Sequence, residues 1–400
     1  MNDLRLLGRL LAGNPPGVEA NWERVIALAQ RHGVSSLLFW ELARRQGSGV
    51  LSIPEEPYEA LRRDFYAAAA RAMVAERQLA QILQALAEAG IPTLVVKGAA
   101  VGAYYPDPAL RSYGDLDVVV PRHQLEQATA ALARLGYQGS SQKQWRLVHH
   151  FHLPPLHHET GRLTVEIHWQ LDRPEQPWRL PVEELWARAI PWAVAGQPTL
   201  RLEGVDTVLY LSLHTLSHHL ARLGLRPLCD LAQVIEGWGP SEWEALVRRA
   251  VDYRLTRAVY LMLRLAEEVL QAMAPVQVRE ALSPHPEDPA VGNWIAAFLD
   301  PDLRSVPPMP VTAVLAWAHE AGLGRFCYLW RRLYPPREEM AAIYDIPPDS
   351  PRIWLAYLLR PADLFRRYRS ALLNLAQRNP TAQAAWGQET WLRKWLEGET

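Results

Sequence analysis

Arg111–Val120, RSYGDLDVVV, sets two acids at the head of an apolar, β-branched run. In an extended strand Asp115 and Asp117, spaced i, i+2, stand on one face, about 7 Å apart along the chain. Two carboxylates held side by side repel and call for a compensating cation, with Mg²⁺ or Mn²⁺ the natural partner of oxygen ligands. A strand of this kind is how a protein builds a two-metal site for phosphoryl-type chemistry. The plainer reading, an exposed strand edge or a turn with an Asp cap, is weighed by what surrounds the pair.

Upstream, Gly90 ends a long helical stretch, and Thr93–Val96 reads as a short buried strand. Lys97-Gly98 follows, then AAVGAYY, enough for one or two helical turns. A strand, a glycine turn and a helix start expose backbone N–H groups that suit phosphate. Arg111 is placed as a bidentate phosphate ligand, and Lys97 as a phosphate ligand or as the ion-pair partner of Asp117. Downstream, Leu125, Ala128, Leu132 and Leu135 mark the inner face of a helix over residues 122–135, stopped by Gly136.

A third acid lies in Leu163–Trp169, LTVEIHW. Alternation puts Thr164, Glu166 and His168 on one face and Val165, Ile167 and Trp169 on the other. Glu166 is the candidate third metal ligand or the base that activates an acceptor. His168 is either a substrate contact or a packed histidine.

LVVKGAA, RSYGDLDVVV and VEIHWQL, in this order and spacing, resemble the uncharacterised nucleotidyltransferase family of the DNA polymerase β-like superfamily. The likeness extends to the amino-terminal helices and to LHTLSHH and LCDLAQVI further on. The resemblance implies an α+β fold: a polymerase β-like core, a small mixed sheet with flanking helices, embedded between mainly α-helical regions. It also implies a metal-dependent nucleotidyltransferase using Mg²⁺ or Mn²⁺. Such an enzyme moves a nucleoside monophosphate from an NTP, here expected to be ATP, to an acceptor hydroxyl and releases pyrophosphate. Asp115, Asp117 and Glu166 would be its catalytic and metal-binding residues, and Lys97, Gly98, Arg111, His168, His214 and His218 its substrate contacts. The acceptor is open among a small molecule, a protein side chain and an RNA end. Lys97-Gly98-Ala99 stands where the superfamily has Gly-Gly or Gly-Ser, and Glu166 where it has Asp. Two alternatives follow: a catalytically inactive nucleotide-binding regulator, and an antitoxin-like or scaffold protein acting through helical surfaces.

Composition agrees with a sizeable folded core. With 49% hydrophobic and 21% charged residues and a formal net charge of −1, the chain is neither disordered nor globally basic. Two cysteines supply neither a disulfide framework nor a metal clip. The amino terminus is too short in apolar run for a signal peptide and no transmembrane segment is legible, so a cytoplasmic location is expected.

The pattern of breaks divides the chain into residues 1–90, a helical region; 91–172, the catalytic core; 173–205, a Pro-rich linker or hairpin; and 206–400, a helical region. Histidines at 149, 150, 152, 157 and 158 suggest a polar hairpin over the cleft, His150 and His152 on one face; no standard spacing or cysteine supports zinc. His214, His218 and Arg222 fall at i, i+4 and i+8 of one helix. HTLSH lacks the glutamate of a metalloprotease motif, leaving a stripe toward ligand or an interdomain polar network. Asp230 reads as a helix cap or a partner of Arg226. Arg352–Arg378 holds six arginines against one acid, Asp363. That stretch suits an anionic or protein partner, or a helix docked on the protein's own core through Leu364, Tyr368, Leu372 and Leu375.

Overall fold

The structure, a computed structural model, describes residues 3–14, 20–45, 53–139, 151–161, 163–172, 176–218, 224–284, 289–300, 330, 333–344, 346, 347, 349–376 and 379–398. His149, His150 and Arg222 lie outside these residues, as does the side chain of His218.

Helices α1 (Asp3–Leu11), α2 (Trp22–Arg31), α3 (Ser35–Ala43) and α4 (Glu55–Glu88) come first. Helix α4 starts with Glu55 and Glu56, acids that favour a helix amino terminus. It buries Leu61, Leu79, Ile82, Leu83 and Leu86, an inner stripe at helical spacing. Gly90, at φ 70°, takes the left-handed position that ends it.

The sheet then assembles. Strand β1 (Leu94–Val96) and α5 (Gly98–Gly102) precede β2 (Asp115–Val119), α6 (Leu125–Arg134), β3 (Tyr137–Gln138), β4 (His157–His158) and β5 (Thr164–His168). Next come α7 (Val182–Arg188), β6 (Ile190–Val194) and β7 (Gln197–Arg201). The five-stranded order is β5-β2-β1-β7-β6, with β3 and β4 a separate pair. Strand β2 runs antiparallel to β1 and parallel to β5, and β7 runs parallel to β1. The sheet is therefore mixed, and the fold is α+β, a small sheet among helices.

The hairpin predicted within 173–205 forms, turning through Ala195 (φ 47°) and Gly196 (φ 82°), the two positive φ values of a tight hairpin turn. It does not stand apart as a linker. Strand β7 pairs with β1, Leu94 opposite Leu200, which makes the hairpin one edge of the core sheet. The other edge is lined by residues 151–156: Leu153 N–H donates to Ile167 O, Leu156 N–H to Val165 O and Trp169 N–H to Phe151 O. Such cover removes an open ladder from solvent.

After the sheet come α8 (Gly204–Leu213), α9 (Arg226–Ile235), α10 (Pro240–Asp252), α11 (Thr256–Leu270) and α12 (Val276–Leu282). A π-helical turn over His214–His218 extends α8. Its wider pitch breaks the i, i+4 alignment expected of a continuous α-helix there.

The chain separates into two compact units: Met1–Gly139 with His150–Glu287, and Ser140–His149 with Asp288–Thr400. The second contains α13 (Pro289–Phe298), α14 (Arg337–Tyr344), α15 (Arg352–Ala376) and α16 (Pro380–Glu397). Its small core gathers Met340, Ala341, Ile353 and Ala356. Helix α15 leaves Trp354, Leu355, Leu358, Leu359 and Phe365 exposed. Leu364 is half-buried, and the side chains of Tyr368, Leu372 and Leu375 lie outside the described residues. No described helix is long and apolar enough to cross a membrane.

Candidate active site

The site is set by register. Antiparallel pairing places Val96 opposite Asp117, and parallel pairing places Asp117 opposite Glu166, Asp115 opposite Thr164 and Val119 opposite His168. Directly paired residues share a face, so Asp115, Asp117, Glu166 and His168 all project to one side. Their alternates Leu116, Val118, Val165 and Ile167 are buried on the other. The two-residue periods of both acidic strands are thus brought into phase.

Asp117 is the centre. Its Oδ1 accepts from Lys97 Nζ at 2.8 Å and from His168 Nε2 at 3.0 Å. Burial works against its charge, but Lys97 and His168 outweigh that and hold the carboxyl well below the usual range. Because Asp117 is ionised and can only accept, His168 carries its proton on Nε2. That nitrogen also lies 3.5 Å from Glu166 Oε2. Asp117 Oδ2 and His168 Nδ1 are sealed from solvent and make no hydrogen bond to any described residue.

One ligand atom from each of Asp117, Glu166 and His168 falls within 4.8 Å of the others. Asp115 stands outside this trio, one step earlier on the same face. Burial and then the neighbouring Asp117 push its carboxyl upward, despite Lys97. Glu166 is drawn downward, the hydrogen bond from His168 prevailing over burial and Asp117. A carboxyl raised by its neighbours marks a place short of positive charge. The orphaned oxygen of Asp117 and the adjacent carboxylates fit a divalent cation with oxygen-rich coordination.

Lys97 reaches Asp117 from an unusual backbone. It sits at φ 52°, ψ −140°, between β1 and α5, in a region that L side chains rarely occupy and that costs about 1–3 kcal/mol. Its ammonium lies 5.9 Å from the centroid of the Tyr210 ring on α8. Burial opposes the charge on Lys97, yet Tyr210 and Asp117 together hold its pKa up. Gly98 opens α5 with the ring of Tyr113 against it: a Cβ there would meet that ring at 3.4 Å. His214 is half-buried, its ring 5.7 Å from that of Tyr210, which puts it one side chain removed from Lys97.

Arg111 is nearly fully buried. It makes a two-point pair with Asp230, Nε to Oδ1 at 3.2 Å and Nη2 to Oδ2 at 2.9 Å. Asp230 therefore neither caps α9 nor pairs with Arg226, as its position in sequence had suggested; it lies within that helix and serves Arg111. Of the histidine-rich segment, His152 bridges to His168 across the sheet edge, their ring centroids 5.1 Å apart. Beside the start of β2 a cavity of about 330 Å³ is lined by Ala68, Ala75, Arg111, Ser112, Tyr113 and Leu163, among others.

Tyr210 and Tyr105 are the neighbours that the linear pattern does not single out. Tyr210 lies i−4 from His214, a helical spacing that offered the only signal.

None of the curated proteins compared matches the chain. It is similar to a solved structure, the solution structure of the antibiotic-resistance factor ANT(2'')-Ia. The two share 14% identity, over 46% of this chain and 94% of that one, with a TM-score of 0.34. Over residues 18–271, which contain the whole five-stranded sheet and every member of the site above, the sequence matches a family described as uncharacterised nucleotidyltransferase, and the chain belongs to that family.

Proposed function

We propose that the chain is a metal-dependent nucleotidyltransferase that takes an NTP, transfers its nucleoside monophosphate to an acceptor hydroxyl and releases pyrophosphate. The observation that supports it is Asp117: its Oδ2 is buried and unpartnered, the residue lies in direct lateral register with Glu166, and Asp115 precedes it on the same face. Asp115, Asp117 and Glu166 would hold the Mg²⁺ or Mn²⁺, with His168 orienting Asp117 through its Nε2 proton. When bound, the metal supplies charge to polarise the transferred phosphoryl group.

The chain's own groups do the rest. Lys97, held against Asp117, keeps that carboxylate ionised and adds positive charge beside the phosphates. Glu166, drawn downward and half-buried, is available to take the acceptor proton. ATP from the cytoplasmic pool is the proposed donor.

A second reading, nucleotide binding without turnover, is favoured by one observation. Lys97 Nζ already occupies Asp117 Oδ1, a position that a bridging metal would claim.

Titration calorimetry of each NTP with Mg²⁺ and Mn²⁺, on wild type and on D117N, tests the reading. Metal-dependent binding by wild type falls about a hundred-fold or more in D117N, because a buried charged ligand is removed. A pyrophosphate-release assay with candidate acceptors then separates turnover from binding alone. Absence of metal-dependent NTP binding in wild type overturns both nucleotide readings and leaves the helical-surface scaffold.

A further inference from the structure

Two guanidinium groups and one carboxylate meet where the loop before β2 approaches the start of α9. Arg111 takes the carboxylate of Asp230 with two nitrogens, and the Tyr105 hydroxyl donates to Asp230 Oδ1 at 2.8 Å. Arg111 and Tyr105 are each 7% exposed and Asp230 only 1%, so this is a closed, fully paired unit.

Arg226 lies four residues before Asp230 on the same helix but makes no hydrogen bond or ion pair with it. Its hydrogen bond runs from Nη1 to the carbonyl of Ser112, at 3.2 Å. No carboxylate of a described residue makes an ion pair with it. Gly33, at φ 66°, stands beside the same Nη1 and Ser112: a Cβ there would lie 3.5 Å from Nη1 and 3.7 Å from Ser112 Oγ. Burial, and then repulsion from Arg111, lower its pKa, with Asp230 and Asp115 pulling the other way. A guanidinium does not answer such a setting by losing its proton. A half-buried arginine with most of its donors unused is instead a waiting anion site, and the planar fork matches phosphate oxygens two at a time.

Charge decides which anion. A triphosphate would enter beside Asp115, Asp117 and Glu166, where Lys97 is committed to Asp117 and Arg111 to Asp230. Arg226, bonded to the Ser112 carbonyl three residues before Asp115, has no carboxylate partner among the described residues.

We propose that Arg226 is the phosphate-binding arginine of the site and that its free guanidinium edge takes the phosphate chain of the donor nucleotide. The role expected of Arg111 passes to Arg226, and Arg111 with Asp230 becomes the support that holds the Ser112 carbonyl and the start of β2 in place. This inference rests on the nucleotidyltransferase reading for the identity of the nucleotide, though not for the binding of phosphate.

The experiment titrates full-length wild type, R226Q and R226K with Mn²⁺·ATP, with inorganic tripolyphosphate and with adenosine, alongside urea unfolding of each. In R226Q, ATP and tripolyphosphate bind about ten-fold or more weakly, while adenosine is unchanged. R226K, which keeps charge but loses the fork, recovers part of the loss and decides the matter if R226Q unfolds. R226Q or a folded R226K that binds tripolyphosphate and ATP as wild type does overturns Arg226 alone. Wild type that binds tripolyphosphate at Arg226 but no NTP upholds the phosphate site and overturns the nucleotidyltransferase reading. Wild type that binds neither overturns both.

Discussion

Asp117 carries a full charge in a place without water, and its energetics follow from that. Its side chain has no exposure, yet Lys97 and His168 keep its carboxyl far below the pKa of about 3.9 that an unfolded chain would give it. A carboxyl depressed by folding stabilises the native state above the unfolded pKa and loses that contribution as pH falls toward the folded value. With metal removed by chelator, wild-type stability should therefore drop as pH falls below about 4. D117N should start less stable at pH 7 by about 3–5 kcal/mol, since Lys97 is left buried without its partner, and should lack that acid limb. Urea midpoints between neutrality and acid measure both; an acid limb of equal depth in D117N would refute the assignment. The period-two spacings of Asp115 with Asp117 and of Glu166 with His168 made each strand's polar face readable from the sequence, because alternation is a local property. The Arg111–Asp230 pair was not readable, because 119 positions separate its members and only tertiary packing gives Asp230 to Arg111 rather than to the nearer Arg226.

Elements show where local preference is overruled. Gly8 sits inside α1, where helix propensity alone favours alanine by about 1 kcal/mol. It also faces α11 so closely that a Cβ would stand 2.3 Å from Val269 O and 2.7 Å from Val269 Cγ1. A backbone oxygen cannot swing aside as a long side chain can. Gly8→Ala should therefore destabilise the fold by about 1–3 kcal/mol, as overpacking does, against the sign that propensity gives. Thermal unfolding checks this, and a stabilised variant would mean that α1 does not pack there as described. Long periodic elements such as α4 were legible, since their buried stripe repeats over many turns. The strained turn at Lys97 and the π turn at His214–His218 were not, because each is imposed by packing rather than by its own residues. The pairing of β7 with β1 escaped for a similar reason: prolines on both sides of the hairpin suggested a linker, while the partner strand lay about a hundred residues upstream.

At the scale of the whole chain, the chemistry and the mass are unevenly shared. The sheet, the acidic face, Tyr210, Asp230 and Arg226 all belong to the unit formed by residues 1–139 and 150–287, and the family match ends within it at residue 271. That unit has its own buried apolar core, from Leu61 and Leu79 through Val118 and Ile167 to Leu209 and Leu261, while the second unit gathers a separate cluster around Met340 and Ile353. A unit with its own core that carries all of the proposed site residues has the physical requirements to fold and bind by itself. A fragment of residues 1–287 should therefore unfold cooperatively and bind metal and NTP within about three-fold of the full chain, a difference below 1 kcal/mol. The exposed apolar stripe of α15, from Trp354 to Phe365, should leave with the remainder, so the fragment should also bind less of a hydrophobic dye per molecule. A fragment that unfolds without cooperativity, or folds and loses NTP binding, would place part of the functional machinery beyond residue 287 and would make the carboxyl-terminal helices participants in the site.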